Sequence, residues 1–255
     1  MTKRMKPVDF LELCRLGIVR VKLLAIETST SICSVALIQD GLILASRGEQ
    51  VEFGHSTPLA EMTKNVLEDT DTDIVHLDAI GISIGPGSLT GLRIGLAFGK
   101  GICSAATIPI VAIPTLHGLV YNILKEGVLI RPIVRAKKGQ YHTALYEYKS
   151  ETQIEIEPHQ IISSDFLNKE IFRRTVLIGE TFTTSESNSL SKMYELYGVE
   201  NSPIAEGIAK LGEKMFSEGE TSNSAELEPD YKMEFKAKAW NREQSGDAVM
   251  MKGLD

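Results

Sequence analysis

The chain has 255 residues, of which 43% are hydrophobic and 24% charged, and its formal net charge is −7. This composition is typical of a folded globular protein and excludes a disordered chain. The negative charge opposes contact between the whole surface and a phosphate backbone. Any contact with nucleic acid is therefore expected to pass through a partner or through a local basic patch.

The cysteines and the apolar runs indicate where the protein works. Cys14, Cys33 and Cys103 are odd in number and far apart, which predicts neither a disulfide framework nor a metal site. No apolar run approaches the length of a membrane span. Asp9 and Glu12 interrupt the apolar stretch near the N-terminus, which makes it a poor signal peptide. We therefore expect a cytoplasmic protein without membrane contact.

The first half of the chain predicts an α/β lobe with a mixed sheet. Asp40-Gly41 supplies the positive φ angles of a two-residue hairpin inside an antiparallel meander. Apolar runs predict strands at Val21–Glu27, Cys33–Gln39, Leu42–Arg47, Leu77–Ile84 and Ile108–Ile113. Helical spacing predicts helices from Thr57 to about Asp69, from about Thr90 to Ala106, and over Thr115–Lys125.

The second half partly repeats this order, which predicts two lobes of related build. The predicted elements are strands at Leu129–Val134, Tyr141–Tyr148 and Val176–Gly179, a short helix at Ser164–Glu170, and a helix opened by Ser202-Pro203. We assign residues 21–127 to the first lobe, 128–202 to the second lobe, 203–220 to a helix that returns toward the first lobe, and 221–255 to a C-terminal tail.

Four consecutive hydroxyl residues follow the carboxylate at the end of the first predicted strand. They are Thr28, Ser29, Thr30 and Ser31, directly after Glu27. A tight hairpin of such residues offers N–H and O–H groups to phosphate oxygens, and the carboxylate can orient a magnesium ion through water. A polar turn with a hydrogen-bonded glutamate explains the same residues, so both interpretations stay open.

A glycine-rich turn lies between a buried strand and a helix, where backbone N–H groups favour an anion. It begins Gly85-Pro86-Gly87-Ser88 and matches neither a Walker A loop nor a nucleophile elbow. A strand-to-helix turn whose glycines allow close packing explains it equally well. The candidate nucleotide-binding residues of the two motifs are Glu27, Thr28, Ser29, Thr30, Gly85, Gly87 and Ser88.

The helix after this turn carries a flat stripe of small residues. Gly91, Gly95, Gly99 and Cys103 recur every four residues and so lie on one face. Each glycine inside a helix costs about 1 kcal/mol relative to alanine. Close approach of another helix, from this chain or from a second chain, is the simplest reason for the stripe. Leu92 and Leu96 flank it, so the predicted surface is apolar as well as flat.

The segments Glu27–Leu37 and Gly85–Gly95, in this order and about fifty residues apart, together resemble the TsaB (YeaZ) family. The resemblance runs from about Val21 to Tyr231. It implies an α/β fold of the actin/Hsp70/sugar-kinase (ASKHA) class, in which two lobes each contain a mixed β-sheet flanked by helices. It also implies a role in the synthesis of N6-threonylcarbamoyladenosine in tRNA. Relatives begin near the equivalent of Val21, so residues 1–20 are predicted to be an extension that packs poorly.

The resemblance also implies partners. In this family the paralogue TsaD transfers the threonylcarbamoyl group, TsaB-like chains pair with TsaD, and the ATPase TsaE joins them. TsaD-like chains carry a His-x-x-x-His metal pair, whereas here His55 is followed by Leu59 at the second position. The sequence therefore predicts a non-catalytic subunit with no catalytic residue, no metal site and no cofactor requirement of its own. ATP or ADP with magnesium would belong to the assembled complex.

The same resemblance implies that the helices at His55–Asp69 and Thr90–Ala106 form a four-helix bundle with the equivalent pair of TsaD, or with a second copy in a homodimer. The predicted partner-interface residues are His55, Leu59, Met62, Val66, Gly91, Leu92, Gly95, Leu96, Gly99 and Cys103. On this hypothesis Gly95→Leu abolishes pairing and leaves the monomer folded.

Two departures and one alternative complete the sequence-based predictions. Leu89 stands where relatives usually have phenylalanine. The stretch Arg135–Tyr141 lacks the aspartate with which relatives begin it, and with Arg131 it forms a basic patch, interpreted as a solvated loop or a minor tRNA contact.

The alternative function is an ATP-binding small-molecule kinase or ATPase of the same fold, with magnesium-ATP held by Glu27 and the hydroxyl hairpin. The recognised motifs offer no general base, which argues against it.

Overall fold

The computed structural model describes residues 20–51, 56–137, 139–150, 152–167, 174–179, 184–197 and 204–231. These residues form two five-stranded mixed sheets flanked by helices. The predicted extension therefore lies outside the described residues except for Arg20, as do His55 and everything after Tyr231. No described helix combines the length and the hydropathy that crossing a bilayer requires.

The first sheet has the strand order β3-β2-β1-β4-β5. Its strands are β1 (Lys22–Glu27), β2 (Ile32–Gln39), β3 (Leu42–Gln50), β4 (Ala79–Gly85) and β5 (Ile110–Pro114). The first three form the predicted antiparallel meander, and β4 and β5 run parallel to β1. Asp40 and Gly41 have φ angles of 52° and 78°, which confirms the predicted turn.

Three helices accompany this sheet. They are α1 (Ser56–Asp69), α2 (Leu89–Ala106) and α3 (Thr115–Val120), and a 3₁₀ turn lies at Ile74–His76. The prediction for α3 was wrong at its end, because the helix stops well before Lys125. The N–H groups of Tyr121, Asn122 and Ile123 each bond to the carbonyl three residues earlier. These tighter turns lead the chain into the second sheet.

The second sheet repeats the first. Its strands are β6 (Leu129–Arg135), β7 (Gln140–Lys149), β8 (Thr152–Ser163), β9 (Thr175–Gly179) and β10 (Glu195–Tyr197), in the order β10-β9-β6-β7-β8. The first three again form an antiparallel meander, and β9 and β10 are parallel to β6. The sequence pattern missed β8 and β10. Of the helix predicted at Ser164–Glu170, α4 covers Ser164–Leu167, and the remainder lies outside the described residues.

Two further helices complete the described part, α5 (Thr184–Leu190) and α6 (Ala205–Ser217). Although α6 follows the second sheet in sequence, it packs on the first. Its Ala205 N–H donates to Ser34 Oγ over 3.1 Å, and a Cβ atom at Gly212 would lie against Leu23. One apolar cluster joins strands of both sheets to α3 and α6. A second cluster lies under α1 and α2 on the other face of the first sheet.

A pair of histidines, one buried and one half-buried, lies between β7 and β8. Nδ1 of His142 is 3.0 Å from Nε2 of His159, and His142 is only 1% exposed. Burial, together with the neighbouring imidazole of His159, lowers the pKa of His142 from 6.5 to about 4. The folded state therefore keeps this ring neutral at a pH where the unfolded chain protonates it.

This difference in pKa predicts an acid-sensitive contribution to stability. Since the unfolded chain binds the proton below about pH 6.5 and the folded chain only near pH 4, the free energy of unfolding should fall between these values. His142→Gln should lose about 2 kcal/mol less than the wild type between pH 6.5 and 4.5. Urea unfolding at both pH values measures this, with the exposed His76→Gln as control. Equal losses in wild type and His142→Gln would contradict the prediction.

Candidate functional site

The structure brings the two sequence motifs together at one edge of the first sheet. Strands β1 and β4 are parallel neighbours, with Ile26 opposite Ile82, so the segments that follow them meet. The N–H of Ser88 donates to the carbonyl oxygen of Ser29 over 2.6 Å. A Cβ atom at Gly87 would collide with this same Ser29 carbonyl. The glycine is therefore required by close approach of two backbone segments.

Five of the seven residues proposed to bind nucleotide are buried by their own chain, whereas Gly87 is half-buried and Ser88 is exposed. Glu27, Thr28, Ser29 and Thr30 are at most 2% exposed. A Cβ atom at Gly85 would collide with the carbonyl oxygen of Asp230, which lies across the turn. Ser88 accepts the Gly91 N–H through its hydroxyl over 3.2 Å and caps α2. This arrangement fits the packed-turn interpretation of the two motifs, and nucleotide binding by these residues stays a prediction.

Glu27 is a fully buried carboxyl group with unequal oxygens. The backbone N–H and the hydroxyl of Ser29 both donate to Glu27 Oε1, over 2.6 and 2.5 Å. Glu27 Oε2 has no partner within hydrogen-bond distance among the described residues, but the buried Ser83 hydroxyl on β4 is near enough to stabilise the charged carboxyl. Burial raises the pKa of Glu27 above its ordinary 4.5, and the neighbouring donors, led by Ser29 and Ser83, only partly oppose this effect. A charge on this carboxyl therefore weakens the folded state.

Replacing Glu27 by glutamine should stabilise the protein at neutral pH. The raised folded pKa means that stability is lost as the pH rises above 4.5, and an uncharged amide removes this loss while its oxygen still accepts from Ser29. Thermal unfolding at pH 4 and pH 7.5 measures the effect. We expect Glu27→Gln to gain stability over the wild type at pH 7.5 and little at pH 4. A gain that does not depend on pH would contradict this account.

The glycine stripe of α2 faces the interior of its own chain. Cβ atoms at Gly91 and Gly95 would collide with Thr28, and one at Gly99 would collide with Ile82. The Thr28 hydroxyl donates to the Gly91 carbonyl over 2.8 Å. The stripe therefore lets α2 lie close on the sheet and the β1–β2 turn. The prediction that it contacts another helix was wrong.

The other predicted interface residues are buried as well. Leu92, Leu96 and Cys103 on α2 and Leu59, Met62 and Val66 on α1 are at most 7% exposed. All but Leu92 belong to the apolar cluster beneath these two helices. His55 lies outside the described residues. The described residues of the predicted partner surface are thus buried within this chain, and pairing of the two helices with a partner stays a prediction. A four-residue period identifies a packed face without identifying what packs on it.

These contacts reverse the expectation for Gly95. Gly95→Ala should lower the free energy of unfolding by about 1 to 3 kcal/mol, because its Cβ collides with Thr28 Oγ1, and Gly95→Leu should prevent folding. Gly101 on the same helix is the matched control, since it is exposed and has no atom within 4 Å of a Cβ placed there. Gly101→Ala should raise the free energy of unfolding by about 1 kcal/mol, because alanine has the higher helix propensity. Urea unfolding compares the two, and equal effects would contradict the assignment.

The opposite face of α2 is the surface that sequence analysis missed. Ala97, Gly101 and Ala105 are exposed at four-residue spacing, and Ile94 and Phe98 are half-buried beside them. We call these five residues, together with the half-buried Ile102, the outer face of α2. The signal was present in the sequence, because α2 has apolar residues on both of its sides and Arg93 and Lys100 as its charged residues. Such a helix is expected to be covered on both sides.

A groove of about 840 Å³ lies between this face and α1. Its apolar lining comes from Leu67, Ile74, Phe98 and Ile102. Lys64, Glu68, Asp71, Asp73 and His76 contribute charged or titratable groups to the same lining. The groove therefore offers apolar surface bordered by more acidic than basic side chains.

The predicted basic patch is smaller than expected. Arg131 turns inward, is 6% exposed, and donates from Nη2 to Glu157 Oε2 over 2.9 Å. Arg135 lies over the ring of Tyr141, with its Cζ 5.6 Å from the ring centroid.

Within the described ranges, no three His, Cys, Asp or Glu side chains come together in a way that could hold a metal ion.

Comparison with known proteins identifies the family. The family model described as TsaD, tRNA N6-adenosine threonylcarbamoyltransferase, matches residues 48–223. The tRNA threonylcarbamoyladenosine biosynthesis protein TsaB of Bacillus subtilis is 30% identical over 217 residues, which are 82% of this chain and 93% of that protein. TsaB of Escherichia coli is 26% identical over 221 residues, 83% and 94% of the two chains.

A solved structure supports the same assignment. YeaZ from Pseudomonas aeruginosa superposes with a TM-score of 0.67 at 22% identity, over 83% of this chain and 99% of that one. This likeness confirms the two-lobed ASKHA fold that the sequence motifs implied. The two motifs, the repeated sheets and the sequence matches agree, and the chain belongs to the TsaB (YeaZ) family.

Proposed function

We propose that this chain is a non-catalytic partner subunit that binds and supports a TsaD-like threonylcarbamoyltransferase in the synthesis of N6-threonylcarbamoyladenosine in tRNA. The observation that carries the proposal is the outer face of α2, which presents small and apolar side chains to solvent beside the groove along α1. Exposed apolar surface of this kind marks sites of association. The names of the related proteins supply the pathway.

The geometry of the outer face suits a helix of the partner. Ala97, Gly101 and Ala105 are small enough for a second helix to approach to about 8 Å. Ile94, Phe98 and Ile102 lie along one side of this line and would lose their remaining exposure in the contact. In the absence of the paralogue, the same face would pair with a second copy of this chain. A TsaE-like ATPase would join the assembled complex.

The closed state of the two motifs supports a binding role. Ser29 donates both its N–H and its hydroxyl to Glu27 Oε1, and the Gly85 turn is covered by Asp230. We therefore assign the transfer step, and any ATP or ADP with magnesium, to the partner subunits or their interface with this chain. The remaining basic hairpin, with Arg135 and Lys137, would give tRNA a minor contact at most.

Capture of the tagged protein from its own cells, followed by mass spectrometry, tests the proposal. We expect stoichiometric recovery of the TsaD-like paralogue. Gly101→Leu should weaken its affinity at least about 30-fold, the loss expected at an interface hot spot, because the added side chain stands where the partner helix approaches. The unfolding curve of this variant should match that of the wild type.

The control variant places the same leucine elsewhere. Asn188 is exposed on α5 beside the second sheet, so Asn188→Leu should capture the paralogue normally. Recovery of the wild-type chain alone, at native concentration and low salt, would overturn the proposed function. If Gly101→Leu captures the paralogue normally, the partner does not bind at the outer face of α2.

A further inference from the structure

A C-terminal strap crosses the first lobe after α6. The N–H of Ser222 donates to the Ile110 carbonyl over 2.8 Å, and Leu227 packs against the cluster beneath α1 and α2. The N–H of Asp230 then donates to the Ile84 carbonyl over 2.7 Å. These contacts fix the path of the backbone along the edge of the sheet. Tyr231, the next residue, is therefore placed beside the start of α2 by the fold itself.

Tyr231 holds an exposed arginine of α2. Nε of Arg93 donates to the Tyr231 hydroxyl over 2.9 Å, and the guanidinium carbon lies 5.7 Å from the ring centroid. Arg93 stands four residues before Ala97, so it continues the line of the outer face at its N-terminal end. A guanidinium that donates from Nε to the Tyr231 hydroxyl keeps its two terminal nitrogens for a second acceptor, which they can bind as a fork.

The position of Arg93 does not serve the helix. Arg93 is the fifth residue of α2 and lies beyond the first turn, so its positive charge gains nothing from the helix dipole. The first turn of α2 has no acidic residue. Restraining an exposed arginine also costs side-chain entropy. A ligand that binds the restrained guanidinium does not meet this cost again, because the side chain is already oriented.

We propose that Arg93, oriented by Tyr231, binds a carboxylate of the partner subunit at the N-terminal end of the outer face. This inference rests on the proposed function and adds the chemistry that one end of the interface must supply. The guanidinium fork matches the two oxygens of an aspartate or glutamate in a bidentate pair, which fixes the register of the partner helix along α2.

A carboxylate fits better than the other common oxyanion, an RNA phosphate. The chain carries a net charge of −7, and acidic side chains border the groove beside the outer face. Such surroundings repel a polyanion more strongly than a single side-chain carboxylate on a largely apolar surface. Arg93 also lies on the same line of α2 as the small and apolar residues of the outer face, which would contact a helix of a protein partner.

Binding of the purified chain to its purified TsaD-like paralogue, measured by calorimetry, tests the inference with three variants. Arg93→Lys keeps the charge and loses the fork, and it should weaken binding about 10-fold. Tyr231→Phe keeps the ring and loses the acceptor for Nε, and it should weaken binding about 3-fold. The control, Lys125→Gln, removes an exposed positive charge far from α2 and should bind within about twofold of the wild type.

The outcomes separate this inference from the proposed function. If the wild type binds the paralogue and Arg93→Lys binds equally well, the carboxylate contact is wrong and the partner role stands. If Arg93→Lys binds the paralogue normally but the assembled complex retains tRNA less well, the anion is a phosphate and the inference is also wrong. If the wild type does not bind the paralogue, both proposals fall. Restoration of a weakened Arg93→Glu variant by a lysine at one acidic position of the paralogue would establish the contact.

Discussion

The first lobe depends on the contact between the turn after β1 and the inner face of α2. Thr28 and Ser29 lie against Gly87, Gly91 and Gly95 so closely that no side chain fits between them. The contact is also hydrogen-bonded, from the Thr28 hydroxyl to α2 and from the Ser88 N–H to Ser29. It determines how deeply α2 sits on the sheet, and therefore where its outer face stands relative to α1. The glycines thus set the position of the outer face, on which the proposed association depends.

Much of the fold could be predicted from local patterns. The meander with its Asp40-Gly41 turn and the buried parallel strands follow from period and turn chemistry. Strand β8 was missed although Ile154 and Ile156 alternate with glutamates as in a strand, and these two isoleucines are exposed because β8 is an edge strand. Its existence depends on pairing with β7, which its own residues do not reveal. The end of α3 was missed because the turns into the second sheet override helix propensity.

The sequence identified the two motifs and the helix α2, but it did not show which face of α2 is exposed. The two motifs do meet, as their positions after parallel strands require. Whether Glu27 faces solvent or the interior depends on the Gly85 turn and on Asp230, which are far away in sequence. The four-residue period of Gly91, Gly95 and Gly99 was recognised, but α2 carries two such lines, on opposite faces. Only tertiary packing decides which one the chain itself covers.

The return of α6 to the first sheet has a consequence for synthesis on the ribosome. Ala205 and its hydrogen-bond partner Ser34 are 171 residues apart, and Gly212 packs near Leu23. The strands of the first lobe therefore emerge long before the helix that covers one face of β1. Contacts of such wide separation close late and slowly. A nascent chain cannot complete its first lobe until the second has been made, so the face of β1 that α6 covers stays open until the molecule is nearly finished.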